Sequence, residues 1–226
     1  AFSTVQALRE LLKAEHCSLE ARVFGPDTRG ERALTQKAGL PFENILAAPL
    51  RGRKPLKLIL NIFYILIGTI QAFWQLLFFR PDVILSTGGY GSIPACIAGR
   101  LLRLPLVIFL PDIEPGLAVR FESRIATHIA TSTKNTNTSL SKKKLSVTGY
   151  PVRKRFNELT TGSARTELGL GASETVLFVS GASQGSQLLN NFIFQELEEL
   201  CQNAVILHIT GEKDIGEALK KRANLP

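Results

Sequence analysis

Apolar residues recur every three to four positions in STVQALRELLKAEH, so the chain opens on an amphipathic helix over 3–15. Short apolar runs and helical patterns then alternate. Strands are predicted near 19–25 and 44–48, with a helix over 30–38 between them. A basic loop, PLRGRKPLK (49–57), leads into a long helix over 56–79. Strands follow at 82–86, 105–110, 127–131 and 145–148, with helices at 92–103 and 116–126. Alternation of this kind builds parallel sheets with right-handed crossovers, so the predicted class is α/β with a doubly wound parallel sheet.

Between Arg153 and Ala172 the chain reads RKRFNELTTGSARTELGLGA, turns polar and loses its strand signal. A new unit then starts: strand 175–180 (TVLFVS), helix 184–200, strand 204–210 (AVILHIT) and helix 212–222. The expected organisation is a first domain at 1–153, a linker at 154–172 and a second domain at 173–226. With two strands, that second domain is expected to be part of an open sheet that would be hard to stabilise alone.

The segment LILNIFYILIGTIQAFWQLLFF (58–79) is long enough to cross a bilayer. At 1.5 Å per residue, about 22 residues extend roughly 33 Å. Two features argue against a span. Lys57, Asn61, Tyr64, Gly68, Gln71 and Gln75 recur at three- and four-residue spacings, drawing a narrow polar stripe along one face. The helix also joins two strands expected to share one sheet, and a span would put them on opposite sides of the membrane. The remaining choices are a buried crossover helix or a helix whose surplus apolar face, with Phe73 and Trp74, rests on lipid. In the second case Arg51, Arg53, Lys54 and Lys57 would meet anionic head groups, each cation worth on the order of 1 kcal/mol. The surface reading is preferred, because a core helix needs one apolar side and this one is apolar nearly all round.

Composition narrows the picture further. A hydrophobic share of 45% against 20% charged excludes a disordered chain. Lys and Arg outnumber Asp and Glu by 27 to 19, a net +8 that suits phosphates or an anionic membrane surface. Nucleic acid is not expected, since the basic residues are scattered and lack interleaved aromatics. Cys17, Cys96 and Cys201 share no metal or redox spacing and read as thiols of a reducing compartment. No metal site is predicted, and His16, His128 and His208 stand at no informative spacing. The chain shows no signal peptide, lacks methionine and stops in mid-pattern at EALKKRANLP, so it is read as a fragment.

Three loops offer bare backbone after a predicted strand. The first is STGGYGS (86–92), where Gly88 and Gly89 precede Tyr90. In the second, FVSGASQGSQLLNN (178–191), Gly181 and Gly185 free the backbone. There Ser183 and Gln184 stand where the next helix is predicted to start. Unpaired N–H groups and about half a positive charge at a helix start favour a phosphate oxygen; Ser183 reads equally well as a plain N-cap. The third is TGYPVRKRF (148–156), where Arg153 could bridge a phosphate bidentately or be a solvated charge.

In order and spacing, PDVILSTGGYGSIPACIAGRLLRLPLVIF, PGLAVRFESRIAT, VTGYPVR and LFVSGASQGSQLLN resemble the MurG family of bacterial N-acetylglucosaminyltransferases, in glycosyltransferase family 28. The resemblance covers nearly the whole chain. It implies the GT-B architecture of two Rossmann-like domains, both truncated here, with the reaction in their cleft. It implies transfer of N-acetylglucosamine from UDP-GlcNAc to undecaprenyl-pyrophosphoryl-MurNAc-pentapeptide in peptidoglycan synthesis. The first domain would take this polyprenyl-pyrophosphate-linked acceptor at the inner, cytoplasmic face of the cell membrane, and the second would hold the UDP-sugar.

Carried over residue by residue, Ser183 matches the family's donor-phosphate serine, beside Gln184 and Gly185, and Arg153 its arginine at the domain junction. Gly88, Gly89 and Tyr90 match the loop implicated in acceptor binding. The family's H-E-Q-N turn reads FLPD here (109–112), so Leu110 replaces the glutamate and Asp112 stands where an asparagine would contact the donor sugar. The resemblance also places a first glycine loop, ending in histidine, before Ala1, and a uridine-gripping stretch after Pro226. An incomplete site is therefore expected, with no residue assigned as general base and no cofactor beyond the donor substrate. Two rivals are a transferase acting on another lipid, such as diacylglycerol, and a non-catalytic membrane-docking subunit.

Overall fold

In the computed structural model, described over residues 2–28, 30–49, 55–135, 140–182 and 184–225, the chain divides into two compact units. The first, Ala1–Lys154, begins with helix α1 (Phe2–Ala14), strand β1 (Val23–Gly25), helix α2 (Glu31–Lys37) and strand β2 (Phe42–Asn44). Helix α3 (Pro55–Phe79) leads to β3 (Ile84–Ser86), α4 (Ile93–Leu101), β4 (Leu106–Leu110), α5 (Leu117–Ile125) and β5 (His128–Thr131). A 3₁₀ turn over Lys142–Lys144 precedes β6 (Leu145–Val147). All pairings are parallel, in the order β3-β4-β5-β6 with a separate β1-β2 pair.

The single sheet expected for this unit is thus two ladders. Phe24 and Ile84 pack in one cluster with Ile45, Ala72, Leu76, Ala95 and Ala98, so the ladders share a core without sharing hydrogen bonds. Strand β2 also lies upstream of the predicted 44–48, because Ile45 packs into that cluster from the loop. The second cluster, around Cys96, Leu106, Ile108, Leu110, Val119 and Ile129, lies between β4, β5 and helices α4 and α5. Buried and half-buried positions alternate along β4, one face filling this core.

Helix α3 is turned inside out. Its buried positions include Asn61, Gly68 and Thr69 alongside Ile65, Ala72 and Leu76. Asn61 Nδ2 donates to the Pro49 carbonyl at 2.7 Å, and Gln71 Oε1 accepts the Leu46 N–H at 2.9 Å. Gln75 Oε1 is buried too, without a hydrogen-bond partner among the described residues. Most of the polar stripe therefore faces protein, although its members Lys57 and Tyr64 are exposed. Leu56, Ile59, Leu60, Phe63, Leu66, Ile70, Trp74 and Phe78 point outward instead. By length and composition α3 is the one helix among the described residues able to cross a membrane. Its inward face is nonetheless tied to residues 45–49 and α4, and Arg22 lies over the Phe79 ring at 4.4 Å.

The second unit, Arg155–Pro226, holds α6 (Arg155–Glu158), α7 (Thr161–Glu167), β7 (Val176–Ser180), α8 (Gln187–Gln195), α9 (Leu197–Asn203), β8 (Val205–Ile209) and α10 (Ile215–Ala223). Polar residues 154–172, read from sequence as a linker, carry two short helices, α7 being started by a Thr160–Ser163 capping box. Strands β7 and β8 pair in parallel over five residues. The single helix predicted over 184–200 is two, because Glu196 leaves the helical region between α8 and α9.

Candidate functional site

Each unit places a glycine loop at the carboxyl end of a parallel strand, β3 in the first and β7 in the second, where open α/β sheets bind ligands. In the first unit β3 ends at Ser86 and α4 starts at Ile93, so Gly88, Gly89 and Tyr90 lie in the turn between them. Gly88 has φ +79°, and a Cβ there would lie 2.6 Å from Val119 Cγ2. Gly89, at φ +105°, faces open space, so its backbone is approachable by a ligand. Tyr90 is half-buried beside it. Ser86 Oγ accepts the Gly88 N–H at 3.1 Å and donates to the buried carboxyl of Glu122 at 2.9 Å.

Beyond β4, Leu110 is 1% exposed and belongs to the core. Asp112 lies two residues on, exposed and without a hydrogen bond among the described residues. Arg153 is likewise exposed and unpaired among them, whereas its neighbour Lys154 reaches Glu10 at 3.4 Å and Arg155 pairs with Glu167 at 2.6 Å.

In the second unit the loop after β7 differs from the sequence expectation. Helix α8 begins at Gln187, with Ser186 as its N-cap, rather than at Ser183–Gln184. Ala182 and Gly185 have φ +59° and +75°, which no right-handed helix accommodates, and the Gly185 N–H donates to the Ala182 carbonyl at 3.2 Å, a turn ahead of α8. Ser183 lies outside the described residues, and Gln184 is exposed. A Cβ on Gly185 would meet the Thr210 carbonyl oxygen at 1.8 Å, so the turn rides on the backbone that ends β8. The Ser186 side chain makes no cap bond, which leaves the first-turn N–H groups of α8 open to an anion.

Beneath that turn, Asn190 is fully buried. Its Nδ2 donates to the Thr210 carbonyl at 2.8 Å and to Asp214 Oδ2 at 2.7 Å. Two acceptors fix the amide's orientation, so its Oδ1 must accept from His208 Nε2, 2.9 Å away, and that nitrogen carries the proton. Burial pushes the His208 pKa down. Sequence reasoning missed Glu122, Asn190 and His208. A signal existed for Glu122, which stands three residues after Val119 on the apolar face of α5. Asn190 and His208 meet only through folding.

Of the predicted lipid contacts, Lys57 and Trp74 are exposed, and Trp74 stacks on Phe78 with centroids 6.3 Å apart. Phe73 turns partly inward, packing against the cluster of Ile45, Ala72 and Leu76. Arg51, Arg53 and Lys54 lie outside the described residues. Among the described residues no group of three His, Cys, Asp or Glu is placed to hold a metal.

A Bacillus cereus protein named UDP-N-acetylglucosamine–N-acetylmuramyl-(pentapeptide) pyrophosphoryl-undecaprenol N-acetylglucosamine transferase 2 is 30% identical over 192 residues, which cover 85% of this chain and 54% of that protein. The transferase of corresponding name from Roseiflexus sp. is 32% identical over 234 residues, 95% of this chain and 53% of its own. The chain thus spans about half the length of the curated relatives it matches. Among solved structures, Acinetobacter baumannii MurG superposes with a TM-score of 0.62 at 21% identity, over 99% of this chain and 60% of that one. UDP-GlcNAc 2-epimerase from Neisseria meningitidis, bound to UDP-GlcNAc, gives 0.63 at 12% identity, over 100% of this chain and 67% of that one. These likenesses establish the fold, α/β of the GT-B type. The glycosyltransferase family 28 N-terminal domain matches residues 3–131, more than half of the 226 residues, and the chain belongs to that family.

Proposed function

We propose that this chain forms the acceptor side and the start of the donor side of a hexosyltransferase. It would move N-acetylglucosamine from UDP-GlcNAc to undecaprenyl-pyrophosphoryl-MurNAc-pentapeptide, with inversion, as a peripheral enzyme on the inner face of the cytoplasmic membrane. The observation that carries this reading is helix α3, which turns its polar stripe inward and its apolar face outward, then feeds β3 and the glycine loop of the same unit. A lipid-linked acceptor needs a receiving loop held at a lipid surface, and Trp74, Phe78 and Lys57 supply apolar and cationic contacts of that kind. Names of the relatives at about 30% identity support the same reaction.

In this reading Gly88 and Gly89 admit the acceptor's pyrophosphate or sugar, with Tyr90 as a wall. In the second unit the donor diphosphate belongs to the loop with Gln184 and Gly185 and to the uncapped start of α8; Ser183 and, in the first unit, Arg153 and Asp112 are assigned to the donor by their match to the family's motifs alone. Direct displacement at the anomeric carbon leaves negative charge on the departing diphosphate, and the fixed N–H groups at the start of α8 meet that charge. UDP-GlcNAc is a substrate, and the reading calls on no cofactor. Leu110 and Asp112 favour a second reading, transfer to another lipid such as diacylglycerol, because the core-bound Leu110 offers no carboxylate there.

The two loops are separated by kinetics of the full-length protein. Tyr90→Ala should raise the acceptor KM about tenfold and leave the UDP-GlcNAc KM unchanged. Gly185→Ala, whose Cβ would meet the Thr210 oxygen, should act on the donor instead. The reverse pattern would show the loops assigned backwards.

A further inference from the structure

Helix α5 carries a glutamate into the core. Glu122 is 0% exposed, three residues after Val119, the residue that lies under Gly88. Its Oε2 accepts from Ser86 Oγ at 2.9 Å, and its Oε1 lies 2.6 Å from Ser92 Oγ. These two serines bracket the glycine loop. Ser86 Oγ also accepts the Gly88 N–H at 3.1 Å, and Ser92 Oγ lies 2.9 Å from the Gly89 carbonyl oxygen. Ser92 is the N-cap residue of α4 yet makes no cap bond, its hydroxyl being engaged by the carboxyl and by Gly89. One carboxyl therefore reaches both glycines that leave the loop backbone bare.

We propose that Glu122 is a positioning residue for the acceptor loop, holding Gly88 through Ser86 and Gly89 through Ser92 in the shape that receives the acceptor. The inference rests on the reading of this loop as the acceptor side.

A count of protons says which form of the carboxyl does this. Ser92 has one hydroxyl proton, and the Gly89 carbonyl can only accept. If Glu122 is ionised, that proton goes to the carboxylate and Gly89 loses its bond. If Glu122 is protonated on Oε1, the acid donates to Ser92, Ser92 donates to Gly89, and Ser86 donates to Oε2, so each group is satisfied. Burial pushes the Glu122 carboxyl above its usual range, against the opposing hydrogen bonds of Ser92, Ser86 and Cys96. Among the described residues the titratable group facing it is the Cys96 thiol of α4, itself pushed up by burial and by Glu122. β3 and the loop present only hydroxyl and backbone groups. The neutral acid holds the loop, and ionisation as the pH rises loosens it.

The test uses the full-length protein with three substitutions. Glu122→Gln copies the neutral acid, with an N–H donor and an oxygen acceptor; Glu122→Ala removes both; Ser92→Ala cuts the arm that runs from Glu122 to Gly89, keeps the one through Ser86, and serves if Glu122→Ala does not fold. Hydrogen exchange over residues 86–92 should accelerate about tenfold in Glu122→Ala and Ser92→Ala. The KM for the muramyl-pentapeptide lipid should rise by a similar factor while that for UDP-GlcNAc holds. Glu122→Gln should match the parent at the pH where the carboxyl is neutral and lack the parent's rise in acceptor KM as the pH is raised. Unchanged exchange in the two alanine variants, or a Glu122→Gln protein as loose as Glu122→Ala, overturns the proposal. Faster exchange with only the donor KM shifted would leave the hold on the loop standing and overturn its acceptor-side assignment.

Discussion

Gly68 tests the orientation of α3 through the sign of one substitution. In a helix whose face is open to solvent or lipid, Gly→Ala stabilises by about 1 kcal/mol, because alanine is the better helix former. Here an added Cβ would lie 1.8 Å from the Leu46 carbonyl oxygen and 2.8 Å from its carbon, both backbone atoms. That segment cannot step aside freely, since its Leu46 N–H is held by Gln71 and Ile45 is buried next to Ala72 and Leu76. Forcing a methyl into such a contact costs about 1–3 kcal/mol, and losing the Leu46–Gln71 hydrogen bond about 1 kcal/mol more. Set against the propensity gain, Gly68→Ala should destabilise by about 1–3 kcal/mol. Urea unfolding of the full-length protein, followed by circular dichroism, reads this as a lower midpoint at unchanged slope. A neutral or stabilising substitution would mean that residues 45–49 do not dock here, and the inward polar stripe would fall with it.

The outward face has its own test. Trp74→Glu with Phe78→Glu, at positions 54% and 79% exposed, should leave the fold intact and weaken binding to anionic phospholipid vesicles about tenfold or more; unchanged sedimentation with vesicles would remove lipid as the partner of that face. Stability should also depend on His208: its folded pKa lies below the usual 6.5, so the unfolded chain binds the proton more readily as pH falls. The stabilisation is full above pH 6.5 and is lost as pH drops below it, a limb in the thermal melting curve that His208→Gln should flatten; a limb that persists in the variant belongs to another group.

Much of the fold was legible because it rests on local pattern. The apolar run behind α3 ends where the helix does, and the alternation along 105–110 reads directly as β4. What escaped depends on contacts far along the chain. The polar stripe of α3 is visible in sequence, but its direction is set by backbone groups of Leu46 and Pro49. Ile45 looked like a strand residue because it is apolar, yet its burial comes from α3 rather than from a ladder. The start of α8 was misplaced because Ala182 and Gly185 adopt left-handed conformations, and Gln184 and Gly185 lie against the backbone of Thr210 and Gly211, far along the chain. The glycines of both candidate loops could be located from sequence, whereas Glu122 and Asn190, which hold the ground beneath them, draw their partners from separate strands and turns.

Incubating the full-length protein with labelled UDP-GlcNAc and two acceptors tests the proposed glycosyl transfer to a lipid-linked sugar. Label is expected on undecaprenyl-pyrophosphoryl-MurNAc-pentapeptide, with little or none on diacylglycerol. Label on diacylglycerol alone, or on neither lipid, would contradict it.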